Sequence, residues 1–216
     1  MKTYANFFHS RSSASAVLPL LAAAALFLAG CSNPADQTES AKVSDAVQAV
    51  EAVTEAAIFT IAPESTVSFI GSKVTGSHEG GFSAFEGTIA TAGGKIVAPS
   101  VITIDMNSLW SDSNRLTGHL KNEDFFDVAN IPTAQFEVTS FEQSSAGAEL
   151  TGNLTLHGVT KSITFSSEVM ISESEVRLKA EFDIMRFDFG IVYKGKADDL
   201  IRDEVVIKLD VVAKNA

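Results

Sequence analysis

Val176-Arg177-Leu178-Lys179-Ala180-Glu181-Phe182-Asp183-Ile184 puts an apolar residue at every second position and a charged one between. A β-strand sends successive side chains to opposite faces, so this stretch reads as a strand with one greasy and one solvated side. The period recurs in Val205-Val206-Ile207-Lys208-Leu209-Asp210-Val211. Shorter forms are Thr66-Val67-Ser68-Phe69, Phe136-Glu137-Val138, Leu154-Thr155-Leu156 and Ile163-Thr164-Phe165. Breaks fall at Gly93-Gly94, Gly147, Gly158 and the 195–199 stretch, where turn chemistry is available. Pro63, Pro99 and Pro132 are expected near strand starts, where a missing N–H matters least. One interval, 112–127, departs from the pattern. There Ser111, Asp112 and Ser113 can cap a short helix with Leu116 and Leu120 on one face, and Gly118 limits its length. The result is about eight antiparallel strands and one short helical crossover. Strands of this kind bury their apolar face in a sandwich or in a closed barrel, and periodicity alone leaves both open.

The chain has 216 residues, 45% of them hydrophobic, with a formal net charge of −11. That is apolar material for one sizeable domain. Lys and Arg number 16 against 27 Asp and Glu, which argues against a nucleic-acid partner. A single cysteine excludes an intrachain disulfide and a thiolate metal cluster. Fifteen Phe against one Trp and two Tyr make the apolar material largely aromatic without hydrogen-bonding handles.

Lys2 and Arg11 precede an uncharged apolar run over 14–28. The run is shorter than the roughly 20 residues of a membrane span and suits a secretory signal peptide, residues 1–30. Leu28-Ala29-Gly30-Cys31 resembles the bacterial lipobox, which implies that Cys31 is acylated, palmitate included, and becomes the N-terminus of a lipoprotein. Ser32 stands where an Asp would resemble an inner-membrane retention signal, so the expected location is the outer membrane, facing the periplasm. An acidic body is repelled by anionic headgroups, so acyl chains must supply the membrane attachment. Residues 31–56 then form a flexible acidic tether: Asp36, Glu39, Asp45, Glu51 and Glu55 face one Lys42, and the valines would bury little. As a coil it would reach roughly 25–30 Å. The folded domain is 57–216.

Three stretches resemble the YceI-like family of polyisoprenoid-binding periplasmic proteins. They are Gly118-His119-Leu120-Lys121-Asn122-Glu123-Asp124-Phe125-Phe126-Asp127 with Ile131-Pro132-Thr133-Ala134-Gln135-Phe136, Gly152-Asn153-Leu154-Thr155-Leu156-His157-Gly158-Val159-Thr160-Lys161, and Arg186-Phe187-Asp188-Phe189-Gly190. With Gly80-Gly81-Phe82 to Gly87 the resemblance covers nearly all of 60–212. It implies an all-β, lipocalin-like antiparallel barrel of about eight strands whose tunnel holds a long isoprenoid chain or similar amphiphile. The chain departs from the family pattern at Leu116-Thr117, where many members read Arg-Asp. It departs again at Phe187 in place of a serine, and at Gly71-Ser72-Lys73 where many place a histidine. No headgroup preference therefore follows from the resemblance.

Within such a tunnel Phe82, Phe85, Phe125, Phe126, Phe136 and Phe165 are expected to line the bore. Phe182, Phe189, Trp110, Leu154 and Leu156 join them, offering rings and branched carbons without demanding polar partners. Because Phe125 and Phe126 are adjacent, one is expected to cap an opening while the other packs. Each methylene-sized unit buried contributes about 0.8 kcal/mol, so an isoprene unit contributes roughly 3–4 kcal/mol before ordering costs. Eight units would exceed the practical ceiling of about 18–21 kcal/mol, so selectivity should follow chain length. Arg186 is a candidate headgroup contact, or else an ion-pair partner of Asp183, Asp188 or a neighbouring strand.

His78, His119 and His157 share no metal-ligand spacing, so no metal is expected. His119 and His157 are expected to donate to backbone carbonyls. There is no Gly-x-Ser-x-Gly elbow and no spare cysteine nucleophile, and Gly93-Gly94-Lys95 lacks the spacing of a phosphate loop. The chain is therefore not expected to be an enzyme or to need a cofactor. The expected function is a periplasmic, lipid-anchored protein that sequesters or carries a polyisoprenoid, quinone or polyprenyl lipid. The alternative is an envelope interaction or stress module with a solid core and no ligand. A homodimer is left open.

Overall fold

The computed structural model describes Met1 and residues 33–48, 51–145 and 147–215; the expected signal peptide and Cys31 lie outside the described residues. The strands are β1 (Glu39–Ser40), β2 (Lys42–Asp45), β3 (Ala57–Ile61), β4 (Thr66–Lys73), β5 (Gly76–Phe82), β6 (Phe85–Ala92), β7 (Lys95–Asp105) and β8 (Leu109–Ser111). After helix α1 (Asn114–Leu120) come β9 (Thr133–Ser144), β10 (Gly147–Leu156), β11 (Val159–Ile171), β12 (Glu175–Met185), β13 (Gly195–Lys196) and β14 (Asp199–Asn215). Among the described residues no helix is long and apolar enough to cross a membrane.

Eight strands close on themselves in the order β12-β11-β10-β9-β7-β6-β3-β14, with β14 returning to β12, every neighbour antiparallel. This resolves sandwich against barrel in favour of the barrel. The long β14 pairs with β3 near its end and with β4 between Ile201 and Asp210, and β4 carries β5, which in turn carries β8, outward as an extension of the wall. The alternation read from β12 is obeyed: Val176, Leu178, Phe182 and Ile184 are buried in one core with Phe165, Phe59 and Val211.

The turns fall where the glycines stand. Gly93 and Gly94 join β6 to β7 with φ of 58° and 75°. His157 and Gly158 join β10 to β11 with φ of 50° and 75°, directly between the paired Leu156 and Val159. Positive φ at both turn residues matches the twist of a two-residue hairpin. Pro99 corrects an expectation: it lies inside β7, beside the register slip between Thr88 and Ala90, where an irregular ladder tolerates a residue without an N–H.

The expected free coil before the barrel is also corrected over 33–48. Strands β11 and β12 pair directly only across 168–171 and 176–179, and farther along a seam opens between them. The N-terminal segment fills that seam, β2 pairing antiparallel with Lys161–Thr164 and β1 pairing parallel with Phe182 and Asp183. Ala41 and Val43 pack against the core. The Thr38 and Ser40 hydroxyls each donate to the Asp183 carboxylate at 2.8 Å, and the Ala41 N–H donates to its carbonyl at 2.8 Å. Asn153 holds Val47 from both sides, accepting its N–H at 3.0 Å and donating to its carbonyl at 2.7 Å. Backbone pairing and hydroxyl contacts outweigh the low apolar content that pointed to a tether.

Candidate functional site

The inward faces of the strands and one face of α1 enclose a cavity of about 730 Å³. Its walls carry Val67 and Phe69 from β4, Phe82 from β5, Ile102 and Ile104 from β7, and Phe136 from β9. Leu154 and Leu156 from β10, Ile163 and Phe165 from β11, Phe182 and Ile184 from β12, and Val205, Ile207 and Leu209 from β14 complete them. Within each strand these residues are two apart, as the pleat requires for side chains sharing a face.

Three rings run side by side along the wall. Phe136 and Phe165 lie 5.7 Å apart and tilted, while Phe165 and Phe182 stack at 4.1 Å with 12° between their planes. The Phe136 ring covers Gly152, at a register slip between β9 and β10; a Cβ there would collide with that ring and with the Glu137 carbonyl. The glycine is thus what lets Phe136 lie against the sheet.

Helix α1 starts at Ser113, whose hydroxyl accepts the Leu116 N–H at 3.4 Å, and it turns Arg115, Leu116, His119 and Leu120 to the cavity. That spacing is one helical face. The following turn aims both Phe125 and Phe126 at the cavity, contrary to the expectation that the pair would divide. The Phe126 N–H donates to the Leu120 carbonyl, and Asp127 takes a φ of 46°, folding the chain tightly behind the two rings. His119 sits edge-on to Phe125 at 5.2 Å and to Tyr193 at 4.9 Å.

Of the residues expected to line the bore, Phe82, Phe125, Phe126, Phe136, Leu154, Leu156, Phe165, Phe182 and Arg186 do so, and three do not. Trp110 is exposed, because its neighbour Leu109 takes the inward position on β8. Phe189 is wholly buried in packed core. Phe85 is half-buried beside Ile104 without reaching the cavity. Phe69, Ile163, Ile184, Ile207 and Leu209 escaped a reading weighted toward aromatics near the family motifs. The period-two alternation that names their strands was the signal that marks them.

His157 meets expectation, its Nδ1 lying 3.2 Å from the Phe189 carbonyl. His119 does not: its Nε2 is 3.0 Å from an Asp124 carboxylate oxygen. His78 pairs with Asp112 at 2.8 Å. Burial would raise the Asp112 carboxyl, but the His78 ring and the Glu79 N–H outweigh it and hold the group below its ordinary value. Arg186 forms none of the expected ion pairs. Buried to 3% exposure, it donates to the carbonyls of Arg202 at 2.8 Å, Ile201 at 3.2 Å and Ile191, and its guanidinium lies 4.5 Å from the Phe187 ring centre. Burial draws its pKa down from the ordinary arginine value, with Asp203 opposing.

The sequence profile of the YceI-like domain matches residues 59–213. A UPF0312 protein of Pseudomonas paraeruginosa is 39% identical over 69 residues, covering 32% of this chain and 36% of that protein. Protein YceI of Salmonella arizonae is 36% identical over 92 residues, 42% of this chain and 48% of that one. The matches thus span about half the length of these curated relatives or less. Among solved structures, Burkholderia cenocepacia BcnA superimposes with a TM-score of 0.61 at 22% identity, over 70% of this chain and 97% of that one. A polyisoprenoid binding domain from Saccharophagus degradans gives 0.60 at 20% identity, over 75% and 100%. With the profile spanning most of the barrel, this chain belongs to the YceI-like family.

Proposed function

We propose that the barrel sequesters or carries one polyisoprenoid or similar long-chain amphiphile, a quinone or polyprenyl lipid, with its chain lying in the cavity. The observation that carries this is the largely apolar lining of a space of about 730 Å³, within the usual range for small-molecule sites. Rings and branched carbons contact a methyl-branched chain without leaving polar groups unpaired. At about 30 Å³ per group of water-molecule size, the space takes roughly 24 such groups, or four to five isoprene units. The hollow interior counts against the alternative of a solid interaction module, and the structural likeness to a polyisoprenoid binding domain supports the same direction. We place the protein in the cell envelope, held by acyl chains on Cys31 at the periplasmic face of the outer membrane.

Mass spectrometry of lipid extracted from protein purified out of its native envelope tests the proposal. A prenyl species near one per chain is expected. Protein that carries no lipid and takes up neither added quinone nor geranylgeraniol would overturn it. For the anchor, the protein should incorporate labelled palmitate in cells and the Cys31→Ser variant should not; equal incorporation by both would remove Cys31 from that role.

A further inference from the structure

The segment that fills the seam, residues 33–48, lies ahead of the residues matched by the family profile, which begin at 59. It forms a strap across the barrel wall beside the cavity. Ile163 and Phe182, which pair with its Val43 and Glu39, also line the cavity. Within the strap Ser40 pairs with Asp183 of β12 and Lys42 with Thr164 of β11, so the chain crosses from one strand to the other at Ala41. Continued at its own register, the direct pairing of Glu168 with Lys179 would set Thr164 opposite Asp183. The strap therefore occupies the place where β11 and β12 would otherwise join. Two strands bridged by a third stand roughly 10 Å apart, against about 4.8 Å when paired directly. A space that seats one polypeptide strand seats one hydrocarbon chain. On the cavity side only the stacked rings of Phe165 and Phe182 span the two strands, and side chains swing far faster than strands separate.

The strap is held by polar contacts at the surface. Thr38 and Ser40 donate to the Asp183 carboxylate, and the Ser166 hydroxyl of β11 donates to Glu39 at 3.0 Å. Lys42 pairs with Glu149 at 2.8 Å and Lys161 with Asp45 at 2.9 Å, all within reach of water. Its apolar contribution to the core is Ala41 and Val43, both half-buried, whereas β12 alone buries Val176, Leu178, Phe182 and Ile184. Exposed ion pairs and hydrogen bonds with little buried apolar surface place an element at the low end of local stability. Its departure leaves the barrel closed, since β11 and β12 keep their direct pairing over 168–171 and 176–179 and β12 keeps β14.

We propose that residues 33–48 are a side gate: the strap undocks as a unit and opens the seam between β11 and β12, through which a long chain enters and leaves the cavity broadside. The proposal rests on the reading of the cavity as a chain-binding site. End-on threading would draw an apolar chain past Lys73, Arg115, Lys196 and Arg202, while the seam is flanked on the cavity side by Ile163, Phe165, Phe182 and Ile184. Passage through the side wall leaves those cations hydrated.

The test locks the strap in the full chain, with Cys31→Ser so that only introduced thiols can pair. One variant carries Lys42→Cys with Thr164→Cys and another Asp45→Cys with Lys161→Cys. Both pairs are directly opposed, one in each of the two alternating ladder positions of an antiparallel pair. Each protein is loaded with labelled geranylgeraniol and chased with excess unlabelled alcohol, oxidised and again after reduction with dithiothreitol. The disulfide should slow release at least about tenfold and leave the Kd unchanged, because a gate alters both rates alike, and reduction should restore the rate. Thr38→Ala with Ser40→Ala should act the other way and speed release roughly five- to hundredfold, the change in opening expected from two lost hydrogen bonds. Release that is equally fast with the strap locked would overturn the gate and leave the chain-binding reading standing, with exchange through the end. A double alanine variant that releases at the unmodified rate would overturn the assignment of Asp183 as the latch. Failure of both cysteine pairs to oxidise would place the strap away from β11 and sink the gate as well. If the reduced proteins take up no geranylgeraniol, the chain-binding reading falls, and the gate with it.

Discussion

Phe182 and Asp183 are one position apart and face opposite sides of β12. The phenylalanine stacks on Phe165 inside the cavity; the aspartate has the outward parity yet is only 1% exposed, because the N-terminal segment covers it. At this scale the alternation was legible: Phe182, Leu154 and Leu156 were readable as inward from their strands, and Ile163 and Ile207 would have been by the same rule. Trp110 was not, since a three-residue strand offers too little pattern to fix its parity. Two substitutions test the residue-level account. Gly152→Ala should destabilise the protein by about 1–3 kcal/mol in urea denaturation, because the Phe136 ring and the Glu137 carbonyl already occupy the space of a Cβ. Leu154→Trp should leave far-ultraviolet circular dichroism intact while lowering geranylgeraniol uptake. Undiminished uptake would put the chain elsewhere in the bore.

Among the elements, the hairpins explain why parts of the family motifs read as they do. His157-Gly158 is a two-residue turn with both φ positive, and the Arg186 to Phe189 turn ends on Gly190 at φ 73°. The two meet where His157 contacts the Phe189 carbonyl. Such turns were visible in the sequence because glycine marks them. The seam-filling segment was not, because its strands are short, polar and exposed, and the groove that receives it exists only once β11 and β12 have diverged. Its contribution is measurable. Thr38→Ala with Ser40→Ala removes both hydroxyls that donate to the buried Asp183 carboxylate. The double variant should lose about 1–3 kcal/mol of stability by urea denaturation. A loss near zero would mean that the carboxylate is satisfied without them.

Over the whole molecule, charge is sorted by position: the net charge is −11, yet the Lys and Arg of the cavity lining are joined there by no Asp or Glu. Composition shows the net sign and no hint of the lining, since Lys73, Arg115, Lys196 and Arg202 lie on four separate elements and meet only in the fold. Several surface carboxyls are held below their ordinary range: Asp45 by Lys161, Glu64 by Lys214, Asp199 by Lys73, and Asp112 by His78 and the Glu79 N–H against the opposing effect of burial. Each binds a proton less readily folded than unfolded, so its contribution to stability is complete above the ordinary carboxylate pKa of about 4 and is lost as acid protonates the folded form. The thermal midpoint should therefore hold steady from neutral pH down to about 5 and fall below 4; a midpoint that rises in acid would contradict these pairings. The covered seam also sets an order of events. Thr38 and its acceptor Asp183 are separated by 145 residues, so the segment synthesised early has nowhere to dock until nearly the whole chain has been made. The first stave to emerge from the ribosome is among the last to be hammered into place.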